Sequence, residues 1–104
     1  MGKYLLAYSG GSMPDTPAEQ QAVMEKWMAW FGELGSALVD GGSPLAPSAV
    51  IKPGGAVTQG GAMGISGYSI LEAGDAEQAT KMAQGCPLLN PGGTVEVYEA
   101  LPMG

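Results

Sequence analysis

The chain has 104 residues, with four lysines, no arginine, no histidine and ten acids, for a formal charge of −6. Without histidine there is no Ser-His-Asp or Cys-His triad and no imidazole metal site, and so few cations argue against holding nucleic-acid phosphates. The single cysteine, Cys86, excludes an internal disulfide and a cysteine metal cluster, so no metal or cofactor is expected.

The length fits one domain over residues 1–104. The 18 glycines and 8 prolines approach low-complexity levels, but 45% apolar residues and several periodic segments argue for a packed core. Charged residues make up only 13% of the chain, which points to a surface partly covered by a second copy. Apolar runs such as Leu5-Leu6-Ala7 are too short to span a bilayer, and Met1-Gly2-Lys3-Tyr4 lacks a signal-peptide layout. The expectation is a cytoplasmic protein with no membrane or nucleic-acid partner.

Residues 3–8, Lys-Tyr-Leu-Leu-Ala-Tyr, read as a first strand ending at the turn cluster Ser9-Gly10-Gly11-Ser12. Thr16-Pro17-Ala18-Glu19 follows as a capping box with proline at the first helical position. Val23, Met24, Trp27, Trp30, Phe31 and Leu34 then recur at helical spacing, which predicts a helix over 17–34 closed by Gly35. Residues 37–40 predict a short strand. Two β-prone runs, 48–51 and 56–58, flank Lys52-Pro53-Gly54-Gly55 and predict a hairpin. A glycine-rich loop, 59–64, leads to a strand over 65–72. Asp75, with Gln78 three residues on, caps a second helix whose apolar stripe is Ala76, Ala79, Met82 and Ala83, ended by Gly85 and Pro87. The turn Asn90-Pro91-Gly92-Gly93 precedes a last strand, 94–101.

The order is β-α-β, hairpin, β-α-β, which predicts an α+β ferredoxin-like domain: a four-stranded antiparallel sheet with two helices on one face. Strand alternation sorts residues onto two faces. Leu5 and Ala7, with Ile65, Gly67, Ser69, Leu71, Val95, Val97 and Leu101, form an aliphatic and small set suited to packing under helices. The opposite set holds all four tyrosines, Tyr4, Tyr8, Tyr68 and Tyr98. A tyrosine face left to water would be unusual, so this reading makes it the contact surface of a homodimer. The inverse reading makes these tyrosines core residues.

Several segments also resemble a known family: Lys3–Tyr8, Leu34–Gly42, Gly67–Ala73, Asp75–Ala79, Cys86-Pro87 and Gly93–Tyr98. In this order, over nearly the whole chain, they are similar to the YCII-related domain family, in particular its DGPF-type branch. The resemblance implies a ferredoxin-like fold and a dimeric α+β barrel built from two facing sheets. Relatives in that superfamily include muconolactone isomerase-like and dehydrochlorinase-like enzymes. The family's suspected His–Asp pair would fall near Met24 and at Asp40, and this chain has no histidine. The stretch that names the branch corresponds to Gln59-Gly60-Gly61-Ala62.

Asp40, at a strand end, is the candidate acid or base. Its alternative role is to cap the Gly41-Gly42 turn. Tyr8, Trp27 and Tyr68 are the candidate ligand-binding residues, in a pocket between the sheet and the first helix near Asp40. Each is weighed against plain packing. Glu96 shares the tyrosine face as a rim charge, Cys86 reads as a small buried residue, and the methionines, including Met24, Met28, Met63 and Met82, read mostly as core filler. The loop 9–12 lacks the spacing of a nucleotide-binding motif. Three functions follow: a homodimer that binds a small organic molecule; a cofactor-free isomerase, lyase or dehydrochlorinase using Asp40; or a non-catalytic interaction module.

Overall fold

A computed structural model describes residues 2–10, 15–46, 48–60, 64–89 and 92–102. The elements run β1 (Gly2–Ser9), α1 (Pro17–Leu34), β2 (Leu38–Asp40), β3 (Ala49–Ile51), β4 (Val57–Gln59), β5 (Ile65–Ala73), α2 (Ala76–Ala83) and β6 (Thr94–Ala100), with single 3-10 turns at Gly35–Ala37 and Pro87–Leu89. The protein is therefore of the α+β class. Parts of three expected loops, at 11–12, 61–63 and 90–91, lie outside the described residues, as does Met63.

Local chemistry sets the helix ends. Thr16 is extended and its Oγ1 accepts from the Glu19 N–H at 3.2 Å, while Pro17 supplies the first helical residue. Gly35 ends α1 at φ +55°, a backbone region that glycine enters without steric cost. Asp75 caps α2, accepting from the Gln78 N–H at 2.8 Å. Gln78 reaches back to accept from the Gly74 N–H at 2.6 Å.

The main sheet has the order β2-β5-β1-β6, and every neighbouring pair is antiparallel. Its register decides which side chains share a face. Tyr4 lies opposite Leu71, Leu6 opposite Ser69 and Tyr8 opposite Gly67, while Leu6 also faces Val97. All are buried or partly so, and they meet Trp30 of α1 and Ala79 and Ala83 of α2. Both helices therefore cover this one face. Met82 packs against both halves of the core, and its carbonyl accepts from Trp30 Nε1 at 3.3 Å, which ties α1 to α2.

This register overturns the expected sorting of the first strand. Tyr4 and Tyr8 lie beneath the helices, at 3% and 6% exposure, and Leu5 faces away at 37%. The tyrosines are divided: the open face carries Leu5, Ala7, Tyr68, Ile70, Glu96 and Tyr98, by pairings of Leu5 with Ile70 and Tyr98 and of Ala7 with Tyr68 and Glu96. The physical reason is that both parities of β1 are apolar, so alternation alone carries no inside-outside contrast. On β5 and β6 the expected parity agrees with the register. Two methionines also depart from expectation, since Met24 and Met28 on α1 are about two-thirds exposed, at 68% and 67%. The last strand ends at Ala100, and Leu101 is exposed.

The hairpin of β3 and β4 forms its own two-stranded sheet. Lys52-Pro53-Gly54-Gly55 closes it as a type II turn: Gly55 N–H donates to the Lys52 carbonyl at 2.8 Å and Gly54 takes φ +91°. Ile51 and Val57 pair across it and are both exposed. The radius of gyration, 15.3 Å, exceeds the ~13 Å of a compact chain this long, consistent with an arm standing off the body.

The corrected sheet polarity predicts opposite outcomes at adjacent leucines. Leu6→Ala, at a fully buried site, should cost about 2–5 kcal/mol in urea unfolding, and Leu5→Ala less than ~1 kcal/mol. Equal costs would contradict the register.

Candidate functional site

A cleft of about 910 Å³ opens between the N-terminal half of α1 and the end of the sheet. One wall is helical, with Gln21, Val23, Met24 and Trp27. The opposite wall is Tyr8 at the end of β1, the segment Gly41–Pro44 after β2, and Ser66–Tyr68 at the start of β5. Its size suits a small organic molecule.

The shape of the cleft follows from how α1 is anchored. Only Trp30, in its C-terminal half, is fully buried. Trp27 is the hinge of an aromatic cluster, with its ring 5.2 Å from Tyr8, 5.7 Å from Trp30 and 5.8 Å from Phe31, all edge-to-face. Each such pair adds ~0.5–1.5 kcal/mol beyond area burial. Toward the N-terminus the stripe thins to Val23 and exposed Met24, and there the helix and the sheet part.

Below the rings runs a polar chain. Tyr8 Oη donates to Ser69 Oγ at 2.7 Å, and Ser69 Oγ donates to the Gly41 carbonyl at 2.8 Å. Ser69 is completely buried, so both bonds replace lost hydration. Burial pushes the Tyr8 hydroxyl up to about 12, the bond to Ser69 opposing this only in part. Tyr8 is a neutral hydroxyl whose proton is already committed.

The segment after β2 is held by backbone geometry. Asp40 Oδ1 accepts from the Gly42 N–H at 2.8 Å. Gly42 takes φ +77°, and a Cβ there would run into the Tyr68 carbonyl. Further along, Pro44 bridges to Gly67 and Leu45 N–H donates to the Ser66 carbonyl at 2.9 Å.

Of the sequence-predicted ligand residues, Tyr8 and Trp27 meet ring to ring in the cleft. Tyr68 also lines it, although alternation assigns its ring to the open face of the sheet, opposite Tyr8. Asp40 is exposed and adjoins the cleft through Gly41 without lining it. Its carboxylate serves the turn. Glu96 is on the open face, accepting from Tyr98 Oη at 2.8 Å, which raises the Tyr98 hydroxyl pKa. Sequence reasoning missed Ser69 as a site residue, although it is the one polar residue at an inward position of β5. Phe31, on the apolar stripe of α1, also lines the cleft.

Cys86 is buried beside a second, shallower groove of about 410 Å³ between α1 and the end of α2. Burial pushes its thiol up to about 11, partly offset by a backbone hydrogen bond from Leu88, so it is no nucleophile at neutral pH. Among the described residues no group of three or more potential ligands could hold a metal ion, and no helix is long and apolar enough to cross a membrane. No family model matches the chain, and no curated protein matches it.

The buried hydroxyl and thiol make stability pH-dependent. A group whose pKa is raised on folding contributes fully below its unfolded value and loses that contribution as pH climbs through the folded one. Unfolding free energy should therefore decline from about pH 9 to 11 through Cys86 and from about pH 10 to 12 through Tyr8. In urea melts across this range, Cys86→Ala should remove the lower part of the decline and Tyr8→Phe the upper. A decline unchanged in both variants would contradict the assignment.

Proposed function

We propose that this protein binds a small organic molecule in the cleft between its sheet and α1, as a homodimer of ferredoxin-like subunits related to the YCII (DGPF-type) family. The observation that carries the reading is the 910 Å³ cleft itself, walled by Tyr8, Trp27 and Phe31 and backed by a hydrogen-bonded floor. The sheet order, with the first and third main strands central, supports the ferredoxin-like assignment. The family relationship rests on the ordered segments quoted above. A cytoplasmic location fits a thinly charged, acidic chain of this kind.

The dimer reading is carried by the open sheet face. Leu5 at 37% exposure and Tyr98 at 50% sit there with Ile70, on the face opposite the two helices. Paired sheets would bury this patch as an isologous contact. Tyr4 and Tyr8 take no part in it. A catalytic role for Asp40 is less well supported, since its Oδ1 already accepts from the Gly42 N–H.

The binding reading predicts saturable uptake of the neutral dye Nile red at about one molecule per chain. Val23→Trp, which fills the cleft, should weaken it at least ~tenfold, with the fold checked by circular dichroism. No saturable uptake, or uptake unaffected by Val23→Trp, would contradict it. Sedimentation should give twice the 10.5 kDa chain mass, and Leu5→Glu with Ile70→Glu should give the single-chain mass. A wild-type monomer would end the dimer reading.

A further inference from the structure

The cleft has an unusual electrostatic character for this chain. Ten acids and four lysines are spread along the sequence, yet no Lys, Asp or Glu lines the cleft among the described residues. Residues 11–14, 47, 61–63 and 90–91 contain no ionisable side chain either. Three acids adjoin lining residues in sequence, Glu19, Glu25 and Asp40; all three are exposed and none lines the cleft, and Asp40 Oδ1 accepts from the Gly42 N–H. The floor is equally neutral, since the Tyr8 hydroxyl donates a hydrogen bond to Ser69 and the Ser69 hydroxyl donates one to the Gly41 carbonyl.

Two lining residues, Trp27 and Tyr68, carry ring donors that make no hydrogen bond to the described residues. Trp30 Nε1 is bonded to the Met82 carbonyl, whereas Trp27 Nε1 makes no hydrogen bond to the described residues. Indole N–H is a donor only, so it asks for an acceptor. The Trp27 ring is fixed by edge contacts to Tyr8, Trp30 and Phe31, with interplanar angles of 72°, 77° and 62°. The Trp27 ring is therefore held in an aromatic wall of defined geometry.

We infer that the cleft selects an uncharged, planar aromatic molecule bearing a neutral oxygen acceptor, such as an aryl ketone or quinone, and discriminates against the corresponding carboxylate. This deepens the small-molecule reading and rests on it. Aromatic and aliphatic walls favour a flat apolar body through contact and dehydration. The Trp27 N–H takes the acceptor. A carboxylate would give up its hydration with no cation to pair it, and burying an unpaired charge is costly. The chain's overall negative charge repels anions too, but that long-range effect is screened by salt, whereas an unmet desolvation cost is not.

The test is a pair of near-isosteric probes, 2-acetonaphthone and 2-naphthoate, titrated at neutral pH with intrinsic fluorescence and calorimetry as readouts. The ketone should bind at least ~tenfold more tightly, and the ratio should persist from about 0.15 to about 0.5 M salt. Gln21→Lys, at an exposed position of the wall, introduces a cation and should narrow the ratio at least ~threefold. Naphthoate binding as tightly as the ketone overturns the inference while leaving the small-molecule reading intact. A ratio that collapses in high salt, or one that Gln21→Lys leaves unchanged, assigns the discrimination to overall charge and overturns it as well. If neither probe binds and Nile red also fails, both readings fall. If Nile red binds and neither naphthalene does, this inference alone falls.

Discussion

The hydrogen-bonded chain from Tyr8 through Ser69 to the Gly41 carbonyl is the constraint on which the site depends. A tyrosine buried under two helices must find an acceptor, and a serine buried beside it must find another. Together they join β1, β5 and the segment after β2, three pieces far apart in sequence. The link fixes the height of Gly41 against the sheet and so sets one wall of the cleft. Gly42 then approaches the Tyr68 carbonyl too closely for any side chain, and Asp40 locks the turn from the other side.

The helix supplies the other wall by being anchored at one end. Trp30 is sunk between Leu6, Leu71 and Ala83, and its indole bonds across to α2. Nearer its N-terminus the helix turns Met24, Gln21 and Gln20 outward as exposed residues that line the cleft. A helix with large rings at one end and smaller or polar residues at the other leaves a wedge of space. Trp27 stands at its apex, in contact with the polar floor through Tyr8.

Much of this architecture was legible in the sequence because it is written in local chemistry. Thr16-Pro17 and Glu19 fixed the start of α1, Gly35 its end, and Pro53-Gly54 the hairpin turn. The polarity of β1 was not legible. Tyr4, Leu6 and Tyr8 alternate with Leu5 and Ala7, and only pairing with Leu71, Ser69 and Gly67 decides between the two apolar sets. That pairing spans 59 to 67 residues of chain and leaves no local trace. Tyr8 and Trp27 were identifiable as aromatic residues placed at a strand end and on a facing helix. The role of Ser69 was hidden for the same reason as the polarity, since its partner Tyr8 had been sorted to the other side. Asp40 illustrates the reverse case, in which an acid before two glycines reads equally as a base or a turn cap, and the Gly42 N–H resolves where its oxygen lies.

The most direct check on this account is proton NMR of the Tyr8 hydroxyl. Sequestered and donating to Ser69, it should exchange slowly enough to give its own resonance, with nuclear Overhauser effects to the Ser69 methylene and to the Trp27 ring, and Ser69→Ala should abolish that resonance. A hydroxyl averaged into the water signal, with Tyr8 ring contacts to Ile70 or Tyr98 in place of Trp27, would contradict it.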